Sequence, residues 1–433
     1  MPDQNAQSPT LVIPSLTPYR TLYHRTQQVR SRATVAALAV SPDSGAIEPG
    51  IDDLLDKPVF GDQEPHAQES FDDREHRDWQ REDGRLTNSN VGVLLKRDMR
   101  CAPMEAGMAY KTITGTFLDE ITHDIASQNW GEKEWTLEFD TMVEAGIDTV
   151  VLIRSGYRER LAYPSVAIPE HVRTLPVNED LIDLFLRLCG PRDIAFFLGT
   201  YDSGRFWHNY EWRKEVEINR AFLREAWARY GGYPAFGGWY LSHETPDTSK
   251  SILDIHASLA EEMREISDLP ILISPFFSGR LDPSQVSMHL DPAGGRRSAE
   301  EHVEQWEEYF SRLGGLIDFC AFQDGTAEML DLEEYVSASA ELARRYGVEP
   351  WSNLESFDRD VPMKFPPLDS RKLIYKLETV QPYVNKLITF EFSHFMSPNS
   401  MWPSARMLYQ RYRGFLASER TQGQAEPKTG RIL

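Results

Sequence analysis

Cysteine is almost missing from this chain: Cys101, Cys189 and Cys320 are the only three in 433 residues. Their wide spacing contains no Cys-x-x-Cys pair, which argues against both a disulfide scaffold and a structural zinc site. Positive charge is also in short supply. Lys and Arg number 46 against 67 Asp and Glu, a formal net charge of −21, so nucleic acid phosphates and anionic lipid would be repelled. No apolar run approaches the roughly 18 residues that a membrane-spanning helix needs. The first residues, MPDQNAQSPTLVIPSL, show no basic segment leading into an apolar core, so the chain reads as soluble and cytoplasmic, with no nucleic acid and no membrane partner. No G-x-G-x-x-G follows the first strand candidate and there is no phosphate loop, so nucleotide binding has no support and no cofactor is expected.

What is present is ample core material: 41% hydrophobic and 11% aromatic residues, enough to rule out disorder of the whole chain. It is unevenly spread. Residues 1–108 are rich in Pro, Ser, Asp and Gln, with a charged run from Asp62 to Arg85 that cannot bury enough apolar area to offset its ordering entropy. This segment is expected to be an extension, partly disordered or draped on the following domain.

From Tyr110 onward, short β-branched or aromatic runs alternate with longer stretches of helical periodicity, the signature of repeated βα units. The strand candidates are Thr112–Leu118, Thr149–Arg154, Ile194–Thr200, Phe236–Ser242, Pro270–Ser274, Phe319–Gln323, Glu349–Leu354 and Leu387–Phe392. Helices are expected between them, with Gly146, Gly231 and Gly347 as stops. Eight units predict a (β/α)8 TIM barrel over residues 109–417, followed by a tail at 418–433. An open doubly wound sheet is the structural alternative.

In such a barrel the chemistry gathers at the C-terminal ends of the strands. The polar residues that fall there are Asp119 and Glu120, Arg154, Tyr201 and Asp202, His243 and Glu244, Gln323 and Asp324, Glu355, and Glu391 with His394. Glycosidic cleavage needs two carboxyl groups flanking the anomeric carbon. Glu244 and Glu355, each directly after an apolar strand and on strands four and seven, are the expected catalytic pair. The loops carry aromatics that suit sugar C–H faces, among them Tyr157, Tyr163, Tyr201, Phe206, Trp207, Tyr210, Phe276, Phe277, Phe357 and Trp402. Arg154, Tyr201, Asp202, Trp207, His243, Gln323, Asp324, Glu391, His394 and Trp402 are the expected substrate contacts, carbohydrate is the expected partner, and no metal site is assigned.

The segments ITGTFLDEI, EAGIDTVVLIRSGY and above all FGGWYLSHE resemble a domain-of-unknown-function family of glycoside-hydrolase-like barrels, over roughly Thr112 to Pro403. The resemblance implies kinship with a clan of retaining glycosidases, hence Glu244 as acid/base, Glu355 as nucleophile and Arg154 as the arginine that orients the nucleophile. Where that clan usually has Asn before the acid/base this chain has His243, which can donate the same hydrogen bond.

Two other functions compete. In a metal-dependent isomerase or hydrolase, Glu244, Asp324, Glu355, Glu391 and His394 would supply oxygen and imidazole ligands. In a non-catalytic carbohydrate-binding barrel the aromatic cleft would remain without turnover. The sugar, the linkage and the oligomeric state are not legible. Removal of Asp62–Arg85 is expected to leave a cooperative thermal melt intact, and loss of that melt would assign the segment to the fold.

Overall fold

Eight short strands with helices of apolar spacing between them can bury both sheet faces by closing into a barrel or as an open doubly wound sheet. In the computed structural model, which describes residues 111–122, 125–207, 211–245, 249–277, 279, 297–358 and 365–424, they close. The strands are β1 (Ile113–Leu118), β2 (Thr149–Leu152), β3 (Ala195–Gly199), β4 (Phe236–Leu241), β5 (Ile271–Ile273), β6 (Phe319–Gln323), β7 (Glu349–Glu355) and β8 (Lys386–Phe390). All pair in parallel, each with its neighbours in sequence, and β8 pairs back onto β1 to seal the barrel. Helices α1 (Glu132–Ala145), α2 (Leu181–Cys189), α3 (Trp212–Tyr230), α4 (Lys250–Ile266), α5 (Ala299–Leu313), α6 (Leu332–Arg345), α7 (Ser370–Val380) and α8 (Pro403–Gln424) alternate with them.

Local chemistry sets the helix ends. Ser298 and Glu301 form a reciprocal capping box at the start of α5, satisfying two otherwise orphaned amides. Gly146 ends α1 at φ 88°, the left-handed state that glycine adopts without steric cost. Gly231 stops α3 differently, remaining right-handed at φ −61°.

Two apolar layers result. The larger lies between strands and helices and holds Trp135, Phe139, Phe185, Trp239, Trp306 and Tyr309. The smaller fills the barrel with Phe117, Val151, Phe197, Tyr240, Leu272, Trp351 and Ile388. A register shift in the β3–β4 pairing, where Phe196 meets Phe236 but Phe197 meets Gly238, inserts one extra residue on β4. This bulge lets both Phe236 and Trp239 face the helices while Tyr240 points inward. A Cβ at Gly238 would lie 2.2 Å from the Phe197 ring, so the absence of a side chain there makes room for an interior phenylalanine.

The strand expectations agree to within two residues at each end. Sequence reading missed a three-stranded sheet of Gly156–Tyr157, Arg160–Leu161 and Tyr201–Asp202 that ties the loops after β2 and β3 together. It also placed a tail from 418, whereas α8 continues to Gln424. Every described residue falls in the compact unit Asp98–Leu433; the expected extension 1–108, Cys101 and residues 425–433 lie outside the described residues. Among the described residues no helix is long and apolar enough to cross a membrane.

Trp239 is 0% exposed; it packs edge-on to Phe236 at 4.7 Å, and its Nε1 donates to Ser267 Oγ at 2.8 Å. Trp239→Ala is therefore expected to cost about 3–5 kcal/mol in denaturant unfolding. Unchanged stability would place the ring outside the core.

Candidate active site

At the C-terminal ends of the strands the buried charge organises around Arg154, just past β2. Its Nε meets Asp202 Oδ2 at 3.2 Å and its Nη2 meets Glu244 Oε2 at 3.6 Å, while Nη1 donates to Thr122 Oγ1 at 3.4 Å. Burial opposes its charge, yet the fields of Glu244, Asp202 and Asp119 prevail and raise its pKa. Asp202 is held below the usual carboxylate range: against its own desolvation act Arg154, His243 and hydrogen bonds from Trp207 and Gly204.

Glu244 is the carboxyl whose environment favours the neutral form. Desolvation pushes its pKa up, only partly countered by Arg154 and by hydrogen bonds from Tyr240 and Gln323. The Tyr240 hydroxyl, rising from the barrel interior, donates to Glu244 Oε1 at 2.7 Å. Gln323 is itself aimed by the bond from its Nε2 to the Ser274 carbonyl, 2.7 Å.

Glu355 ends β7, opposite Phe390 at the end of β8, and is 1% exposed. Its backbone is clamped from below. The Glu355 amide donates to Asp324 Oδ1 at 3.2 Å, and Lys376 Nζ from α7 donates both to that oxygen at 2.8 Å and to the Glu355 carbonyl at 3.2 Å. Burial and the neighbouring Glu355 push the Asp324 carboxyl up while Lys376 pulls it down.

The expected contacts therefore divide. Arg154, Asp202, Glu244 and Gln323 form one connected network, and Trp207 joins it through its Nε1, which donates to Asp202 Oδ1 at 2.9 Å. Arg154 forms its ion pairs with Asp202 and Glu244. His243 is turned away from the mouth: its ring is buried, with Nε2 2.9 Å from Glu215 Oε1. Tyr201 is buried too, its hydroxyl donating to the Arg158 carbonyl at 2.7 Å. Glu391 and His394 bond to each other, and His394 Nε2 meets the Ala126 carbonyl at 2.8 Å, so the pair fastens a loop. Desolvation lowers the His394 pKa to about 4. Trp402 stands half-buried ahead of α8, outside this network. Of the loop aromatics, Tyr157, Tyr163, Phe206, Phe277 and Phe357 are buried anchors, and Tyr210 lies outside the described residues.

The ligand set considered for a metal does not converge. Among the described residues, three potential ligand atoms within 4.8 Å of one another come instead from Asp202, Glu215 and His243. These oxygens already accept hydrogen bonds from Gly204, Trp207, Ser203 and the His243 ring, so a cation would have to displace them.

Tyr240, expected with Trp239 to serve the core or the floor beneath the site, lies in the barrel interior and reaches Glu244; sequence reading missed Glu215, Lys376 and Phe390. Glu215, Asn219 and Phe222 share one buried helical face, as do Leu373, Lys376, Leu377 and Val380. A charge inside an apolar stripe was the available signal.

Residues 113–402 match the family described as a domain of unknown function, DUF4434. The fold is similar to that of a Bacteroides thetaiotaomicron VPI-5482 protein described as a candidate alpha-L-fucosidase, with a TM-score of 0.66 and 42% identity over 70% of this chain and 95% of that one. It is also similar to a hyperthermostable endo-1,4-beta-D-mannanase from Thermotoga petrophila RKU-1, at a TM-score of 0.43 and 11% identity over 71% of this chain and 100% of that one. No curated protein matches the sequence.

Tyr240→Phe should keep the interior packing but remove the hydrogen bond that favours ionised Glu244, so the already raised pKa is expected to rise further in a carboxyl NMR titration. The sign for stability follows: the native state holds this proton more tightly than the unfolded chain, so stability is lost as pH rises from the ordinary carboxyl range through the native pKa. In the variant that loss should extend to higher pH. An unchanged or lowered Glu244 titration would contradict the account.

Proposed function

The chain belongs to the DUF4434 family, and from that premise we propose that it is a glycoside hydrolase acting on an oligosaccharide or glycoside by a retaining mechanism, with Glu244 as acid/base and Glu355 as nucleophile. The observation that carries this reading is the buried Glu244 carboxyl, raised by desolvation and hydrogen-bonded by Tyr240 at the barrel mouth. The relative described as a candidate fucosidase supports the same class.

In the first step the Glu355 carboxylate attacks the anomeric carbon while protonated Glu244 gives its proton to the departing glycosidic oxygen. The two products are a glycosyl ester on Glu355 and the free leaving group. In the second step ionised Glu244 takes a proton from water, whose oxygen attacks the anomeric carbon and releases Glu355. Arg154 suits this cycle because it faces the group that alternates its charge. Desolvation favours the protonated form of Glu244 before the first step, and the guanidinium stabilises the anion that the step leaves behind. The half-buried rings of Trp207 and Phe390 offer stacking faces for sugar.

Glu244→Gln and Glu355→Gln should each lower turnover by roughly 10²-fold or more, as loss of a group acting in the transition state does. With an activated aryl glycoside, Glu244→Gln should be slow mainly in releasing the enzyme-bound sugar and be rescued by azide, whereas Glu355→Gln should accumulate no covalent intermediate. Inversion of the product anomer would overturn the mechanism, and binding of glycans without turnover across a broad panel would replace the enzyme with a lectin-like barrel.

A further inference from the structure

The small sheet at the mouth carries positive charge that the mechanism does not use. Its hairpin, Gly156–Tyr157 paired with Arg160–Leu161, turns at Arg158, which is exposed. Arg158 lies across Gly204: a Cβ at that glycine would come within 2.7 Å of Arg158 Nε, so a side chain at 204 would push the arginine off the turn. The next residue, Arg205, holds its guanidinium 4.4 Å from the Phe206 ring centroid, and Lys214 at the start of α3 holds its ammonium 4.2 Å from the same centroid. Three cations thus surround one turn.

Among the described residues none of the three is ion-paired, and each holds its charge against an aromatic ring. In a chain with 67 acidic against 46 basic residues, cations without acidic partners are not a surplus left over from pairing. The rings also restrain the charged heads, which lowers the ordering cost of a later contact. Arg158 is one aromatic ring away from the proposed catalytic centre. The Tyr157 ring has Arg154 at 5.5 Å on the way to Glu244 and Arg158 at 5.1 Å leading outward.

The backbone adds a second observation. Arg158 sits at φ 53°, in the left-handed region where glycine or asparagine would be cheaper. Of the other non-glycine residues at similar φ, Asn129 and Asp193 are types that tolerate it and Phe365, at φ 46°, is not. An arginine at a hairpin tip that favours glycine is a local conflict of the kind found where a side chain has a task.

We propose that Arg158, Arg205 and Lys214 form a subsite for the acidic group of a glycan, a uronic acid carboxylate or a sulfate ester, on a sugar bound beyond the cleavage point. The planar arginine forks match either oxyanion in paired hydrogen bonds. The inference rests on the glycosidase reading and narrows its substrate to anionic saccharides.

The test is calorimetric binding by the full chain of three tetrasaccharides: a galacturonate, a sulfated galactose oligomer and a neutral galactose oligomer. At least one acidic ligand should bind more tightly than the neutral one, and added salt should weaken that preference. Whichever acidic ligand binds identifies the oxyanion as carboxylate or sulfate. Arg158→Gly, Arg205→Gln and Lys214→Met should each reduce acidic-ligand affinity, by roughly tenfold where a charged hydrogen bond is lost, with neutral-ligand affinity unchanged. Arg158→Gly relieves the left-handed residue, so its melting temperature should match or exceed that of the wild type. Neutral binding equal to or above both acidic ligands would overturn the subsite while leaving the glycosidase reading in place, as would acidic binding indifferent to Arg158→Gly and Arg205→Gln. If none of the three binds and a broad glycan panel also yields neither binding nor turnover, the proposed function falls and the subsite with it.

Discussion

A guanidinium removed from water must be surrounded by negative charge or it unfolds its own site, and Arg154 meets that condition between Asp202 and Glu244. The dependence runs both ways. Taking one partner from a buried pair typically costs about 3–5 kcal/mol because the remaining charge is left uncompensated. Asp202 passes the constraint outward by accepting from Trp207 and the Gly204 amide, which shapes the turn after β3. Glu215 adds a second brace, joining the Ser203 amide to the His243 ring. The loops after β2, β3 and β4 are thereby fixed to one another by charge as much as by apolar packing.

The other side of the mouth is built on a different plan. Glu355 continues the backbone ladder of β7, and its main chain is held by Asp324 and Lys376. The two carboxyl groups consequently stand in unlike surroundings. One lies just past the end of β4, desolvated and facing an arginine; the other ends a strand whose backbone is pinned. Unlike surroundings for two carboxyl groups are what an acid and a nucleophile require.

How much of this the sequence disclosed follows from what periodicity can and cannot carry. Alternating strands and helices made the barrel legible, and the rule that chemistry collects at strand ends brought out Arg154, Asp202, Glu244, Gln323 and Glu355. The same rule also gathered residues that are buried. Tyr201, His243, Glu391 and His394 also follow strands, but their side chains turn into the wall, since adjacent residues beyond a strand end leave in different directions and sequence position does not say which. Glu215 and Lys376 were passed over for the opposite reason: both sit in mid-helix, where a charge ordinarily meets solvent. Only their place on apolar faces, beside Phe222 and Leu377, marks them as buried. The sheet joining Gly156–Tyr157 to Tyr201–Asp202 pairs two-residue segments far apart in the chain, below the length at which alternation gives any signal.

The central claim is that Glu355 is the residue that becomes covalently attached to sugar. The most direct measurement is mass-spectrometric peptide mapping after incubation with a panel of 2-deoxy-2-fluoroglycosides bearing good leaving groups, neutral and acidic. The account predicts stoichiometric labelling of Glu355 by at least one of them, lost in Glu355→Gln and retained when the substitution is Glu391→Gln. A stable label on another carboxylate, or hydrolysis of the same panel with no adduct and with inversion at the anomeric carbon, would contradict it.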